Sequence, residues 1–207
     1  MALTTVQTGF QQDEGGRWTL LDETSFGSNA STFDYEPTFM QSGYAYRLVW
    51  VQVYNLVPDT NNTEVYMRLK HTDNAGSIDA GFATTGYYQG QWQWDWQGSN
   101  LRTNNNGSNL PQAWDNMADK GTVGRKSYYD YYILNGGMTA DSSGSDDHNY
   151  HIWWQGNNWS NNGDVQHALG NAWGDYDIHG MQWYASSGDM DGGMLVKAYY
   201  DTNLGSN

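Results

Sequence analysis

YAYRLVWVQVYNLV, residues 44–57, reads as a β-strand with no solvent face. A strand turns alternate side chains to opposite sides. One side here carries Tyr44, Tyr46, Leu48 and Trp50; the other carries Ala45, Val49, Val51 and Val53. Both sides are mostly apolar, which predicts a central strand covered on two faces. Around it, short strand patterns alternate with turn residues. RWTLLDETSF (17–26) and ASTFDYE (30–36) flank Gly27-Ser28-Asn29, and TEVYMRLKH (63–71) sends Val65, Met67 and Leu69 one way and Glu64, Arg68 and Lys70 the other. SIDAGFATTGYY (77–88) and QWQWDWQ (91–97) are read as a hairpin around Gln89-Gly90, with Asn100 to Asn109 as a polar loop. Strand patterns return at 123–134, 150–156, 164–173, 176–186 and 192–200. One helix is expected near 110–120, because Asn109 can cap it, Pro111 suits its first turn and Gly121 its end. Turn signals every 8–12 residues predict an all-β, jelly-roll-like β-sandwich of about ten strands. Residues 1–16 read as an N-terminal anchoring arm, and 17–207 as a single β-sandwich domain.

Composition narrows the function. The chain has 207 residues and a formal charge of −14, with only nine Lys and Arg. Such a surface repels phosphate backbones and anionic membranes, so no nucleic-acid partner is expected. No apolar run approaches the ~18 residues of a membrane span, so no membrane insertion is expected either. Cysteine is absent, which removes disulfides, thiol nucleophiles and cysteine-held zinc. MALTTVQTGF has neither the basic start nor the apolar stretch of a signal peptide, so synthesis in a cytoplasm is expected.

The alternation in 91–97 would put Trp92, Trp94 and Trp96 on one face. Three indoles together make a patch of roughly 600 Å². The favoured reading is the sandwich core, followed by a subunit interface and then a sugar platform. The carbohydrate-binding candidates are Trp154, Trp159 and Asn157, where indoles adjoin Asn-rich sequence; Trp153 and Trp154 must point to opposite faces. Asp189 and Asp191, one residue apart, are candidate calcium ligands, although the full EF-hand pattern is missing and a hairpin turn is the favoured reading. Asp141, Asp146 and Asp147 lie in a loop expected over 140–149. No other cofactor is expected. His148 and His151 have no third partner of fixed spacing. There is no nucleophile-elbow motif, and no carboxylate pair stands out, so no catalytic residue is assigned and the chain is read as non-enzymatic.

Three segments carry a resemblance: WTLLDETSFGSNASTFDYE (18–36), YAYRLVWVQVYNLVPDTNNTEVYMRLKHTDN (44–74) and YDIHGMQWYASSGDMDGGMLVKAYY (176–200). Within them Trp18-Thr19-Leu20, Asn55-Leu56-Val57-Pro58, Met67-Arg68 and Ser186-Ser187-Gly188 through Gly192 fall where the pattern expects them. Together they resemble jelly-roll-like virion surface proteins of tailed bacteriophages. The resemblance implies a non-enzymatic virion protein, made in the host bacterial cytoplasm and assembled with itself as a homotrimer and with phage capsid or tail proteins. Chain length favours capsid decoration, with a tail-fibre or receptor-binding protein for host surface carbohydrate as the alternative. Residues 97–165 depart from the pattern.

Overall fold

The computed structural model describes residues 18–27, 30–41, 48–60, 63–71, 81–82, 87–95, 98–107, 110–111, 127–135, 150–159, 165–174, 178–190 and 193–201. The expected arm over 1–16 and the loop over 140–149 lie outside them. Among the described residues the chain runs through β1 (Trp18–Phe26), β2 (Thr32–Tyr35), α1 (Thr38–Gln41), β3 (Leu48–Tyr54), β4 (Val65–His71), β5 (Tyr87–Asp95) and β6 (Gly98–Gly107). It continues through β7 (Leu110–Pro111), β8 (Tyr128–Asn135), β9 (Tyr150–Trp159), β10 (Val165–Gly174), β11 (Ile178–Ala185) and β12 (Met194–Asp201).

These strands make two antiparallel sheets. The larger has the order β1-β12-β3-β8-β9-β10-β5-β6, and the smaller β2-β11-β4-β7. The pairings are nested: β1 with β12, β2 with β11, β3 with β8, β4 with β7. A long hairpin wrapped into two layers has this connectivity, which is that of a jelly roll. Two further hairpins interrupt the frame: β5–β6 leaves between β4 and β7, and β9–β10 between β8 and β11. Both attach beyond β8, so they widen the larger sheet on one side only.

The core follows from the alternation. Val49, Val51 and Val53 of β3, Tyr129, Tyr131 and Ile133 of β8, and Ile152 and Trp154 of β9 face inward from the large sheet. Val65, Met67 and Leu69 of β4 and Met181 and Trp183 of β11 meet them from the small one. The layers are tied by a buried hydrogen bond in which Trp183 Nε1 donates to the Tyr131 hydroxyl at 3.2 Å. The single helical turn α1 is pinned where His179 Nδ1 donates to the Met40 carbonyl at 2.6 Å.

Two glycines let the aromatic residues fit. A Cβ on Gly170 would lie 2.2 Å from Cζ2 of Trp154, and one on Gly156 would lie 2.1 Å from Cδ1 of Tyr129. The rings therefore lie on bare backbone of the neighbouring strand.

Three expectations change. Gln89 and Gly90 do not turn the chain; they sit inside β5, paired with Ala172 and Asn171. Residues 98–107 form strand β6 rather than a loop, because pairing with β5 along nine positions outweighs the turn-like composition. The expected helix near 110–120 begins instead as a strand: Leu110 and Pro111 pair with Met67 and Tyr66. Pro111 is tolerated there because β7 is an edge, where a missing N–H costs no ladder bond. Residues 112–121 lie outside the described residues, and the described helical turn is at Thr38–Gln41.

Gly170→Ala is expected to lower stability by about 1–3 kcal/mol, the cost of overpacking. Gly27→Ala, where nothing lies within 4 Å, should leave it nearly unchanged. Urea unfolding followed by tryptophan fluorescence checks both. A second pair tests the buried hydroxyls. Tyr131→Phe should cost about 1–3 kcal/mol by stranding the Trp183 donor. Tyr129→Phe should cost little or even stabilise, since the Tyr129 hydroxyl is buried with no hydrogen-bond partner among the described residues.

Candidate functional site

The face of the large sheet turned away from the core collects the aromatic and polar side chains that the inner face excludes. Cross-strand pairing lines them up in rows. One row runs Tyr199, Trp50, Tyr132, Trp153, Asn171, Gly90. The next runs Lys197, Gln52, Asp130, Gln155, Leu169, Trp92, and a third runs Leu195, Tyr54, Tyr128, Asn157, His167, Trp94.

The first row is a ladder of rings. Trp50 and Tyr199 have centroids 5.1 Å apart, and Trp50 meets Tyr132 at 6.0 Å with planes 8° apart. Tyr132 meets Trp153 at 5.5 Å and 13°. Trp18 packs against the ladder, 5.3 Å from Trp50 with its ring edge-on and 6.4 Å from Tyr132. Each such pair contributes ~0.5–1.5 kcal/mol beyond area burial.

The second row is organised by Asp130. Its Oδ1 accepts from Trp50 Nε1 at 2.7 Å, from the Tyr128 hydroxyl at 2.5 Å and from Gln52 Nε2 at 3.4 Å. Gln52 Nε2 also donates to the Tyr128 hydroxyl at 2.8 Å, and its Oε1 accepts from Tyr54 at 3.1 Å. A carboxylate in mid-strand is thus tied to three strand neighbours, and it fixes the Trp50 ring that anchors the ladder. Burial first, then the hydrogen bond to Asp130, pushes the Tyr128 hydroxyl well above the ordinary tyrosine range. Burial also raises Tyr132, with the Asp130 charge adding to it.

Beside the ladder lies a groove of about 260 Å³, lined by Tyr128, Asp130, Gln155, Gly156, Asn157, His167 and Leu169. Asn157 Oδ1 and His167 Nδ1 lie 2.5 Å apart across it. Among the described residues, the large apolar side chains most open to solvent are all on this face: Leu134 at 38%, Trp153 at 40% and Leu169 at 45%.

The carbohydrate candidates separate on this geometry. Asn157 is exposed and lines the groove. Trp154 is 1% exposed and belongs to the core, so no sugar can reach it from outside. The β8–β9–β10 register decides this, by setting Trp154 opposite Tyr131 and Gly170. Its neighbour Trp153 takes the outward position. Trp159 ends β9, paired with Val165; its side chain lies outside the described residues.

Trp92 and Trp94 pair with Leu169 and His167, in the rows of the outer face, whereas Gln91 and Gln93 take the positions in line with Gly170 and Ala168. The side chains of Trp92 and Trp94, and the whole of Trp96, lie outside the described residues.

Asp189 is exposed in a turn that Asp59 holds. The Asp189 N–H donates to Asp59 Oδ1 at 3.0 Å, and the Asp59 N–H returns a bond to the Asp189 carbonyl at 2.9 Å. Gly188 is in the left-handed region at φ 71°, and a Cβ there would lie 2.4 Å from Asp59 Oδ1. The backbone of Asp189 thus belongs to a structural clasp. Asp191 lies outside the described residues, and among those described no three acidic or histidine side chains gather as a metal cluster.

Sequence reasoning missed Asp130 and Trp50, and of the pair Trp153-Trp154 it carried forward the member that the register buries. The signal for Asp130 was its setting, Tyr128-Tyr129-Asp130-Tyr131-Tyr132, since a carboxylate inside an aromatic strand requires donors nearby. No family model matches the chain, and neither a curated protein nor a solved structure matches it.

The buried tyrosines give a pH signature. Tyr128, Tyr129 and Tyr131 are all raised, with burial the largest cause. An unfolded chain releases tyrosine protons near pH ~10, while the folded chain keeps these three. Above that pH the folded state holds more protons, so stability is fully present below ~10 and falls as pH rises. Native protein titrated by tyrosinate absorbance should show a fraction that ionises only on unfolding. Complete ionisation of the folded chain in one step near ~10 would contradict the burial.

Proposed function

We propose that the chain is a non-enzymatic structural protein on the surface of a tailed-phage particle, most simply a capsid decoration protein assembled with copies of itself as a trimer. The observation that carries this reading is where the frame falls in the sequence. Six of the eight nested strands, β1 to β4, β11 and β12, lie in the segments that resemble virion surface proteins. The added hairpins occupy the part where the resemblance thins: β6 and β9 fall within 97–165, together with the frame strands β7 and β8, and β5 and β10 adjoin it. Jelly rolls serve both as viral surface proteins and as lectins, so the fold alone does not choose between display and recognition. The arm over 1–16 is the natural anchor to a head.

A second reading, a tail-fibre or receptor-binding protein for host carbohydrate, is favoured by one specific observation. An exposed indole, Trp153, stands on the same face as a groove lined by Gln155 and Asn157.

Immunogold microscopy of intact particles, with antibody against residues 17–207, tests the assignment. Decoration predicts gold over the head, and loss of head binding when residues 1–16 are removed. Gold confined to the tail moves the protein to the second reading. Absence of gold from particles, with the protein present in infected cells, would sink both.

A further inference from the structure

The geometry points to a carbohydrate-binding slot at the free end of the aromatic ladder, with Trp153 as its wall and Gln155, Asn157 and Asp130 as its polar contacts, taking an uncharged oligosaccharide. The inference deepens the recognition reading, yet does not depend on where the protein sits on a particle.

Trp153 is the last ring of the ladder. Tyr132 covers one of its faces by offset stacking at 5.5 Å and 13°. On its other side the same row continues with Asn171 of β10 and then Gly90 of β5. Neither raises a ring. Adjacent strands lie ~4.8 Å apart, so this row runs on for roughly 10 Å past the indole through positions that carry no ring. A ring face carries negative charge and attracts the polarised C–H bonds of a pyranose. Trp153, 40% exposed at the end of the ladder, is placed for that contact.

The polar groups lie along the same strand. Trp153, Gln155 and Asn157 are at alternate positions on β9, so the row from indole to Asn157 spans ~13 Å. That is room for more than one sugar ring. Gln155 brings an amide with no partner within the protein among the described residues. Asn157 uses Oδ1 toward His167 and keeps its NH₂. Asp130 concentrates its three donors on Oδ1, leaving Oδ2 for the groove that it lines. Donors and acceptors thus alternate on rigid strands, as a row of hydroxyls requires.

Charge chooses among glycans. A chain at −14, with a carboxylate in the groove, disfavours uronic, sialylated or phosphorylated sugars. A protein partner would be expected to bury a dry apolar centre, whereas here Leu169 is set among Asp130, Gln155, Asn157 and His167.

The test uses the full chain. Uncharged oligomers of glucose, mannose and N-acetylglucosamine, with a galacturonate oligomer as the charged counterpart, are titrated by calorimetry and tryptophan fluorescence. At least one uncharged oligomer is expected to bind at millimolar concentration or below, and galacturonate not to bind. Trp153→Ala should weaken binding at least tenfold and Gln155→Ala several-fold. Asn171→Trp, which fills the slot while keeping Trp153, should abolish it, and Leu134→Ala should leave it unchanged. Circular dichroism confirms that each variant folds. The proposal is overturned if no uncharged oligomer binds, if galacturonate binds in their place, or if Trp153→Ala and Asn171→Trp both bind like the parent. Loss of self-association in Trp153→Ala, without any sugar binding by the parent, would assign the face to a second copy instead. Gold labelling of heads leaves this inference standing, so the two readings fail separately.

Discussion

The contact of the Trp154 ring with the bare backbone of Gly170 fixes the register on which both the core and the outer face depend. Side chains alternate with a period of two, so a slip of one residue between β9 and β10 would exchange every inward group for an outward one. The fit at Gly170, and the matching fit of Tyr129 at Gly156, make the alternative register sterically expensive. With Trp154 held inside, Trp153 must be outside, and Gln155 and Asn157 follow it. The same lock places Tyr131 where it can accept from Trp183 across the layers. The core and the candidate site are therefore two readings of one pairing pattern.

Asp130 performs the corresponding task on the outside. A charge at a largely buried position is tolerated only when donors meet it. Trp50, Tyr128 and Gln52 supply them from the same or the neighbouring strand. The outer face is thereby stiffened by directional bonds as the inner one is by packing. This explains how β3 is covered on both sides although only one sheet lies over it: the second cover is its own layer of aromatic and amide side chains.

The frame was legible because its strands alternate. Val65, Met67 and Leu69 announced β4, and the doubly apolar pattern of 44–57 announced a central strand, as the buried Leu48 and Gln52 on the outer side bear out. What the sequence hid was decided by partners distant along the chain. The Ser, Asn, Thr and Gly of 98–107 have turn chemistry, and only pairing with β5 extends them. Gly90 has the look of a turn glycine but sits in mid-strand. The doublet Trp153-Trp154 declared that one indole points in and one out, without saying which. The missing clue was the spacing of glycines: Gly156 shares a face with Trp154 and belongs beneath a large ring. The candidate site was legible only at Asn157, because the Trp50, Tyr132 and Trp153 ladder draws one ring from each of three strands far apart in sequence.

The two added hairpins have a consequence for how this protein can diversify. Trp153 is carried by β9–β10, while Gly90, further along the same row, is carried by β5–β6. In the sheet the two hairpins are direct neighbours, joined through the β10–β5 ladder. Away from Ile152, Trp154, Gly156 and Gly170, which serve the core, the hairpins can drift in sequence without disturbing the four nested pairings, so the scaffold and the outer surface it presents are free to evolve at different rates. Variation would accumulate as new combinations of one hairpin with the other, much as two independently exchanged cards produce many hands from a small deck.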